Sequence, residues 1–269
     1  MAPALPSWQE IHEGVYLRLR RTGLLTHPLG ERLFVGAYFA YKRLVEDPYQ
    51  ALVTRHPQLV RGGDVLDVGA NLGYTATVFA RALAPGFRVY AFEPEGENFA
   101  RLQRAARATA GIEPVRAAVG ARDGEVELWL NEAHHADHRV MTDAWRAEGK
   151  QGGERVPLVS LDTFVASRGG RPVSLVKIDV QGYELEVVRG MTQLLRANPA
   201  LHVTFEHCPQ ATRELGFRPE ELTAALGARR LFAIGKKGQL EPIDAAQLDA
   251  RAAAQGGYLD VLATRDALA

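Results

Sequence analysis

The chain has 269 residues, with 32 basic and 32 acidic side chains that cancel to a formal net charge of zero. That length allows one large α/β domain, or a domain with an appendage, and balanced charge argues against a general electrostatic grip on nucleic acid or anionic lipid. One cysteine, Cys208, rules out an internal disulfide and a multi-cysteine zinc cluster and suits a reducing cytoplasm.

The amino end, MAPALPSWQEIHEG, has no basic-then-apolar signal pattern. The longest near-apolar run, LFVGAYFAY from Leu33, is far below the ~20 residues that span a bilayer. A soluble cytoplasmic protein with neither a membrane nor a nucleic-acid partner is expected. Residues 1–60 read as a helical cap, in VYLRLRRTGLL and then ERLFVGAYFAYKRLVED, where Leu33, Phe34, Ala37, Tyr38, Tyr41 and Leu44 recur at helical spacing. That apolar face is open to two uses, roofing a site or joining subunits into a homo-oligomer.

From Asp64, apolar strand candidates alternate with helical segments: DVLDVG, a helix over 75–84, RVYAFEP, a helix over 97–108, then PVRAAVG. Alternation of this kind predicts a mostly parallel sheet with helices on both faces, carried by a single domain over 61–269. The Asp123-Gly124 pair between apolar runs signals a hairpin. Residues 131–155 are polar, hold His134, His135 and His138, and read as a lid-like excursion. SLVKIDVQG restores a buried strand, 183–197 reads as one helix, ALHVTFEH is another strand, and LFAIGKKGQL and GYLDVLAT supply the last two, joined by a hairpin and a helix. About seven strands are expected in all.

The first strand-to-helix turn is the usual ligand site of such a sheet. Here it spells D-V-G-A-N-L-G over 67–73. The dinucleotide fingerprint G-x-G-x-x-G fails, because Asn71 and Tyr74 stand where glycines are required, and no Gly-Lys-Ser/Thr of a phosphate loop follows. What remains is a tight turn with a carboxylate, Asp67, two residues before its first glycine. An acid there repels a pyrophosphate and attracts a cationic ligand such as S-adenosylmethionine. Glu93, closing RVYAFEP, is placed to accept hydrogen bonds from ribose hydroxyls, although dinucleotide sites use the same chemistry.

DVGANLGYT, AFEPEGENFARL, VPLVSLDTFV and VKIDVQGYELEVVRG, in that order between about Asp64 and Glu206, resemble the FkbM family of S-adenosylmethionine-dependent methyltransferases. The resemblance implies a class I methyltransferase (Rossmann-like) fold with a seven-stranded sheet whose last strand is antiparallel. It also implies O-methylation of hydroxyls on natural-product or sugar acceptors. By position, Asp67, Gly69, Asn71 and Gly73 would line the methionine part of the cofactor, Glu93 the ribose, and Asn98 and Val119 the adenine, with Asp179 beside the transferring methyl. The chain departs from the family at Gln181, where Glu is frequent, so a role resting on that carboxylate is not carried over.

An alcohol acceptor must lose its proton as it attacks, and histidine is the first suspect. His207, at the end of a predicted strand, is therefore a candidate base, and His138 with Arg139 a candidate acceptor contact. Asp179 is the strongest catalytic candidate, since a carboxylate ending a central strand faces the cofactor. A divalent ion on Asp179, Glu206 and His207 is chemically reasonable, but without a short-range ligand motif no metal site is assigned. The rival readings are a nicotinamide oxidoreductase and a methyltransferase-like binding subunit.

Overall fold

A computed structural model describes residues 27–131 and 138–266. His134, His135 and the predicted helix before residue 26 lie outside the described residues. The main sheet has eight strands in the order β11-β10-β12-β9-β8-β1-β2-β3. β1 (Asp64–Val68), β2 (Val89–Phe92), β3 (Ile112–Val115), β8 (Val173–Ile178) and β9 (His202–His207) run parallel. β12 (Leu259–Thr264) runs antiparallel to β9, and the hairpin β10 (Arg230–Ile234) and β11 (Leu240–Ile243) completes that edge. The α/β class I architecture therefore stands, with one strand more than expected because the residues after Gly238 pair back as β11.

β1 and β8 are buried along their whole lengths, which is why they read as unbroken apolar runs rather than alternating ones. One core layer joins Val176, Ile178, Val203 and Phe205 to Leu222 and Leu248. On the opposite face Phe34, Tyr38, Leu52 and Leu59, from the helices before residue 61, share a core with Val65, Leu72, Phe79 and Leu175. Only part of the predicted amphipathic face is used there. Phe34 and Tyr38 are buried, whereas Leu33 and Leu44 are 67% and 79% exposed.

Three local expectations change. PVRAAVG is not one strand: β3 ends at Val115, and β4 (Ala118–Val119) leaves for a second sheet of order β4-β7-β5-β6. In that sheet β7 (Arg155–Val159) lies between β4 and β5 (Gly124–Trp129), so Asp123-Gly124 closes no hairpin; instead the Asp123 carboxylate accepts from the Ser160 amide at 2.7 Å. The polar excursion is packed in part, through Val140, Met141 and Trp145, while most of residues 146–153 stay exposed. β6 (Arg139–Val140) pairs with β5, and Trp145, 1% exposed, lies edge-on to Trp129. Finally, the helix predicted over 183–197 is broken at Gly190, whose added Cβ would meet the Gly120 carbonyl oxygen at 2.0 Å. The pieces are Glu184–Arg189 and Thr192–Ala197, the second capped by Asp162, which accepts from the Gln193 and Leu194 amides.

Gly69 sets the spacing at the carboxyl edge of the sheet. Its φ is +78°, and a Cβ there would stand 1.8 Å from the Asp179 carbonyl oxygen, so the chain leaving β1 can pass the chain leaving β8 only without a side chain. Gly69→Ala is expected to destabilise the fold by about 2–4 kcal/mol, combining positive-φ strain with overpacking. Urea unfolding measures it, and a loss below about 0.5 kcal/mol would refute the close-approach reading.

Candidate active site

Two hollows flank the main sheet. The wider, about 600 Å³, opens at the amino-terminal edge beside Arg171, Ser174 and His202. The other, about 370 Å³, opens where β1, β2, β8 and β9 end, and is lined by the loops that follow them. Ligands of open α/β sheets sit beyond the carboxyl ends of the strands, so the smaller cleft is the candidate site.

Its floor is built on one buried ammonium. Lys177, in β8, is 3% exposed, and its Nζ lies 3.3 Å from Asp67 Oδ1, 3.4 Å from Asp179 Oδ2 and 3.0 Å from the Gly69 carbonyl oxygen. Burial alone would lower the Lys177 pKa, but Asp67 and Asp179 outweigh it and the pKa is raised. Asp67 is fully buried beneath this lysine and does not line the cleft. Burial raises its pKa against the opposing pull of Lys177. Asp179 does line the cleft; burial pushes its pKa up, yet Lys177 and then Lys42 prevail and hold it below the ordinary carboxylate value.

Glu93, after β2, forms one wall. It is 6% exposed, and its two oxygens accept from the Asn71 amide at 2.9 Å and the Glu95 amide at 3.0 Å. Burial dominates these bonds and pushes its pKa to about 8. A carboxylate has about four lone-pair positions, so acceptor capacity remains for a ligand diol. Gly69, Asn71, Asn98 and Val119 also line the cleft. Gly73 lies behind the lining, where its missing Cβ, which would come 2.8 Å from Leu102 Cδ1, seats the helix Tyr74–Ala82 against Gly96–Ala108.

The opposite wall is a row of acids on neighbouring strand ends. Asp179 follows β8, Glu206 lies in β9, and Asp260 of β12 stands directly across from Glu206. Like charges so placed repel. Burial first, then Asp179 and Asp260, raise the Glu206 pKa well above its usual value, and burial followed by Asp179 brings Asp260 to about 7. Gln181 bridges the first two, its Nε2 donating to Asp179 Oδ1 at 3.1 Å and to Glu206 Oε2 at 3.4 Å. Among the described residues the only non-glycine positive φ angles are those of Asn71 and Gln181, and both residues line this cleft.

The two candidate histidines part company. His207 does not face the cleft: β9 alternates, so His207 shares the face of core residues Val203 and Phe205, and its Nε2 lies 2.8 Å from Asp249 Oδ1. The base expected there is thus turned away, and Asp179, Glu206 and His207 do not converge. Among the described residues no group of three or more His, Cys, Asp and Glu side chains is arranged to hold a metal. His138 does line the cleft, with Nε2 4.0 Å from Glu95 Oε2 and Nδ1 accepting from the Asn131 amide at 3.1 Å. Arg139 lines it too and pairs with Glu214 at 2.7 Å, which ties the small sheet to the helix after β9. Tyr38 and Lys42 close the cleft from the amino-terminal segment, Tyr38 accepting from Asn71 Nδ2 at 3.4 Å.

Lys177 and Lys42 are not singled out by the sequence; Glu206 enters there only as a metal ligand, and Gln181 only as a departure from the family pattern. Alternation in HVTFEH could have found Glu206 as a cleft acid, since it puts His207 on the apolar face and Glu206 on the other. Lys177→Met is expected to cost about 3–5 kcal/mol, because it strands Asp67 as a buried unpaired acid. Adding Asp67→Asn should recover part of that loss in urea unfolding, and no recovery would show that the pair is not the reason.

Comparison with known proteins follows this geometry. Residues 67–232 match the family described as the methyltransferase FkbM domain. The hexuronic acid methyltransferase AglP of Haloferax volcanii is 32% identical over 137 residues, covering 50% of this chain and 52% of that protein, so the match spans about half its length. The 31-O-demethyl-FK506 methyltransferase FkbM of Streptomyces tacrolimicus is 30% identical, with 58% of this chain and 68% of that protein covered. Solved structures overlap at lower similarity. A SAM-dependent methyltransferase from Aquifex aeolicus has a TM-score of 0.42 at 14% identity, covering 83% and 92% of the two chains, and the O-methyltransferase TomG of Streptomyces achromogenes 0.40 at 14%, covering 81% and 78%. With more than half its length inside the matched domain, this chain belongs to the FkbM methyltransferase family.

Proposed function

We propose that the protein is an S-adenosylmethionine-dependent O-methyltransferase acting on a hydroxyl of a small natural product or sugar. The observation that carries this is the set of acids in the cleft: Glu93 on one wall, and Asp179 and Glu206, the latter backed by Asp260 on the next strand, on the other. Glu93 offers acceptor oxygens to a nucleoside diol, and Asp179, the one acid held ionised, offers a negative charge to a cationic group. The nicotinamide reading lacks its glycines at 71 and 74.

The residues present fit the cofactor. Glu93 keeps acceptor capacity for a ribose diol, Gly69 lets backbone approach closely, and Asn98 and Val119 border the same wall. When bound, S-adenosylmethionine supplies an electrophilic methyl on a sulfonium. The chain's own part is positioning and proton removal. Asp179, held ionised by Lys177 and Lys42, is a fixed negative charge beside the cationic ligand. Its depressed pKa makes it a weak base, whereas Glu206, once ionised, is the stronger one and takes the acceptor hydroxyl's proton. Gln181 keeps the two carboxylates in register. His138 and Arg139 contribute to the acceptor side, and the relatives' names, one for a hexuronic acid and one for 31-O-demethyl-FK506, support a hydroxylated small-molecule acceptor.

Calorimetric titration with S-adenosylmethionine and S-adenosylhomocysteine tests the cofactor reading, and no binding by the folded protein would sink it. Because Glu93 is protonated below about pH 8 and a diol binds best to the ionised carboxylate, affinity should rise with pH up to about 8 and then level off. Glu93→Gln should flatten that dependence and weaken binding by about tenfold. For turnover, kcat should rise with pH as Glu206 loses its proton. Glu206→Gln should remove that limb and slow transfer by about 10²–10⁴-fold with cofactor affinity little changed; an unaltered pH profile would clear Glu206 of the base role.

A further inference from the structure

At the sheet edge opposite the cleft, three arginines surround a separate hollow of about 380 Å³. β10 and β12 pair with Arg230 opposite Thr264, and Arg229 and Arg265, the residues just beyond these strand ends, both line the hollow and repel each other. Arg196, from the helix Thr192–Ala197, completes the cluster, and Leu195, Ala225 and Leu226 form an apolar wall.

No side chain within the described residues neutralises this cluster. Arg229 donates one bond, from Nη1 to the Leu226 carbonyl oxygen at 2.7 Å, while its Nε and Nη2 are buried with no partner. Like charges brought together oppose folding, and a buried donor without an acceptor adds to the cost. Burial first, and Arg265 second, depress the Arg229 pKa, which is the electrostatic record of that cost. The described residues supply no acceptor to those two nitrogens.

We infer that this hollow binds the phosphate group of a small phosphomonoester. The guanidinium fork matches a phosphate through paired N–H donors, and Arg196 and Arg265, both exposed on the hollow beside Arg229, present such forks. The volume lies in the range of small-molecule sites, and the apolar wall suits an organic remainder that a bare ion would leave uncovered. The site shares no lining residue with the acid-lined cleft, so it stands or falls apart from the methyl-transfer reading.

Thermal melting of the full chain in chloride, inorganic phosphate and glucose 1-phosphate at matched ionic strength tests it. Phosphate should raise Tm by roughly 2–4 °C and glucose 1-phosphate by more. Arg265→Gln, at an exposed position, should melt above the wild type in chloride, because the repulsion is gone, and should lose the increment from both ligands. Arg229→Gln should lose it as well, with calorimetric affinity for glucose 1-phosphate at least tenfold weaker in either variant. Retention of the increment in both variants, or its absence in the wild type, would overturn the site. Equal increments from the two ligands would overturn the monoester in favour of the free ion.

Discussion

A single buried cation organises the carboxyl edge of this sheet. Lys177 is almost wholly buried and holds its charge because Asp67, Asp179 and the Gly69 carbonyl oxygen surround it. Those three partners come from β1, from the loop after β8, and from the glycine turn, so the ion cluster fixes where two adjacent strands end relative to each other. Removing charges from water is expensive, and a cluster like this adds little net stability over an apolar replacement. Its value lies in geometry: it keeps an ionised carboxylate at Asp179 while sparing the fold a bare buried acid at Asp67.

That arrangement also divides labour among chemically similar groups. Four carboxylates, Glu93, Asp179, Glu206 and Asp260, open on or border one cleft in a chain whose total charge is zero. Local environment pushes their proton affinities apart: Asp179 down through its lysines, the others up through burial and mutual repulsion. Separated affinities in one site are how a protein assigns a permanent charge to one acid and a movable proton to another.

Much of this was legible in the sequence, for reasons that can be named. Long apolar runs such as DVLDV and VSLVKI have to be strands buried on both faces, and the acids that close them have to reach the carboxyl edge. Asn71 and Glu93 were legible as site residues because turn chemistry and strand ends are local properties. Properties that depend on distant packing were not. Gly190 breaks a helix because Gly120, seventy residues earlier, presses on it; Asp123-Gly124 fails as a hairpin because β7 arrives later and takes the place between β4 and β5. His207 was misplaced for a smaller reason, a one-residue slip in a period-two pattern, which exchanges the faces of a strand. Lys177 is a lone charge in an otherwise apolar strand, and only the tertiary structure supplies the two acids that make its burial tolerable.

The hydrogen bond from the Tyr49 hydroxyl to Asp260 Oδ1, 3.2 Å long, joins residues 211 positions apart. A Cβ on Gly238 would likewise collide with the backbone of Ala51. The segment that carries Tyr38 and Lys42 to the cleft therefore docks both on β1 and the helix that follows it and on strands some two hundred residues further along the chain. Contacts of such high sequence separation form late, because loop closure must precede any gain from them. The partners of Lys177 are all made by Asp179, whereas the Tyr49–Asp260 bond becomes available only once β12 exists, so the charged floor and the late clasp of the amino-terminal segment belong to different stages of synthesis.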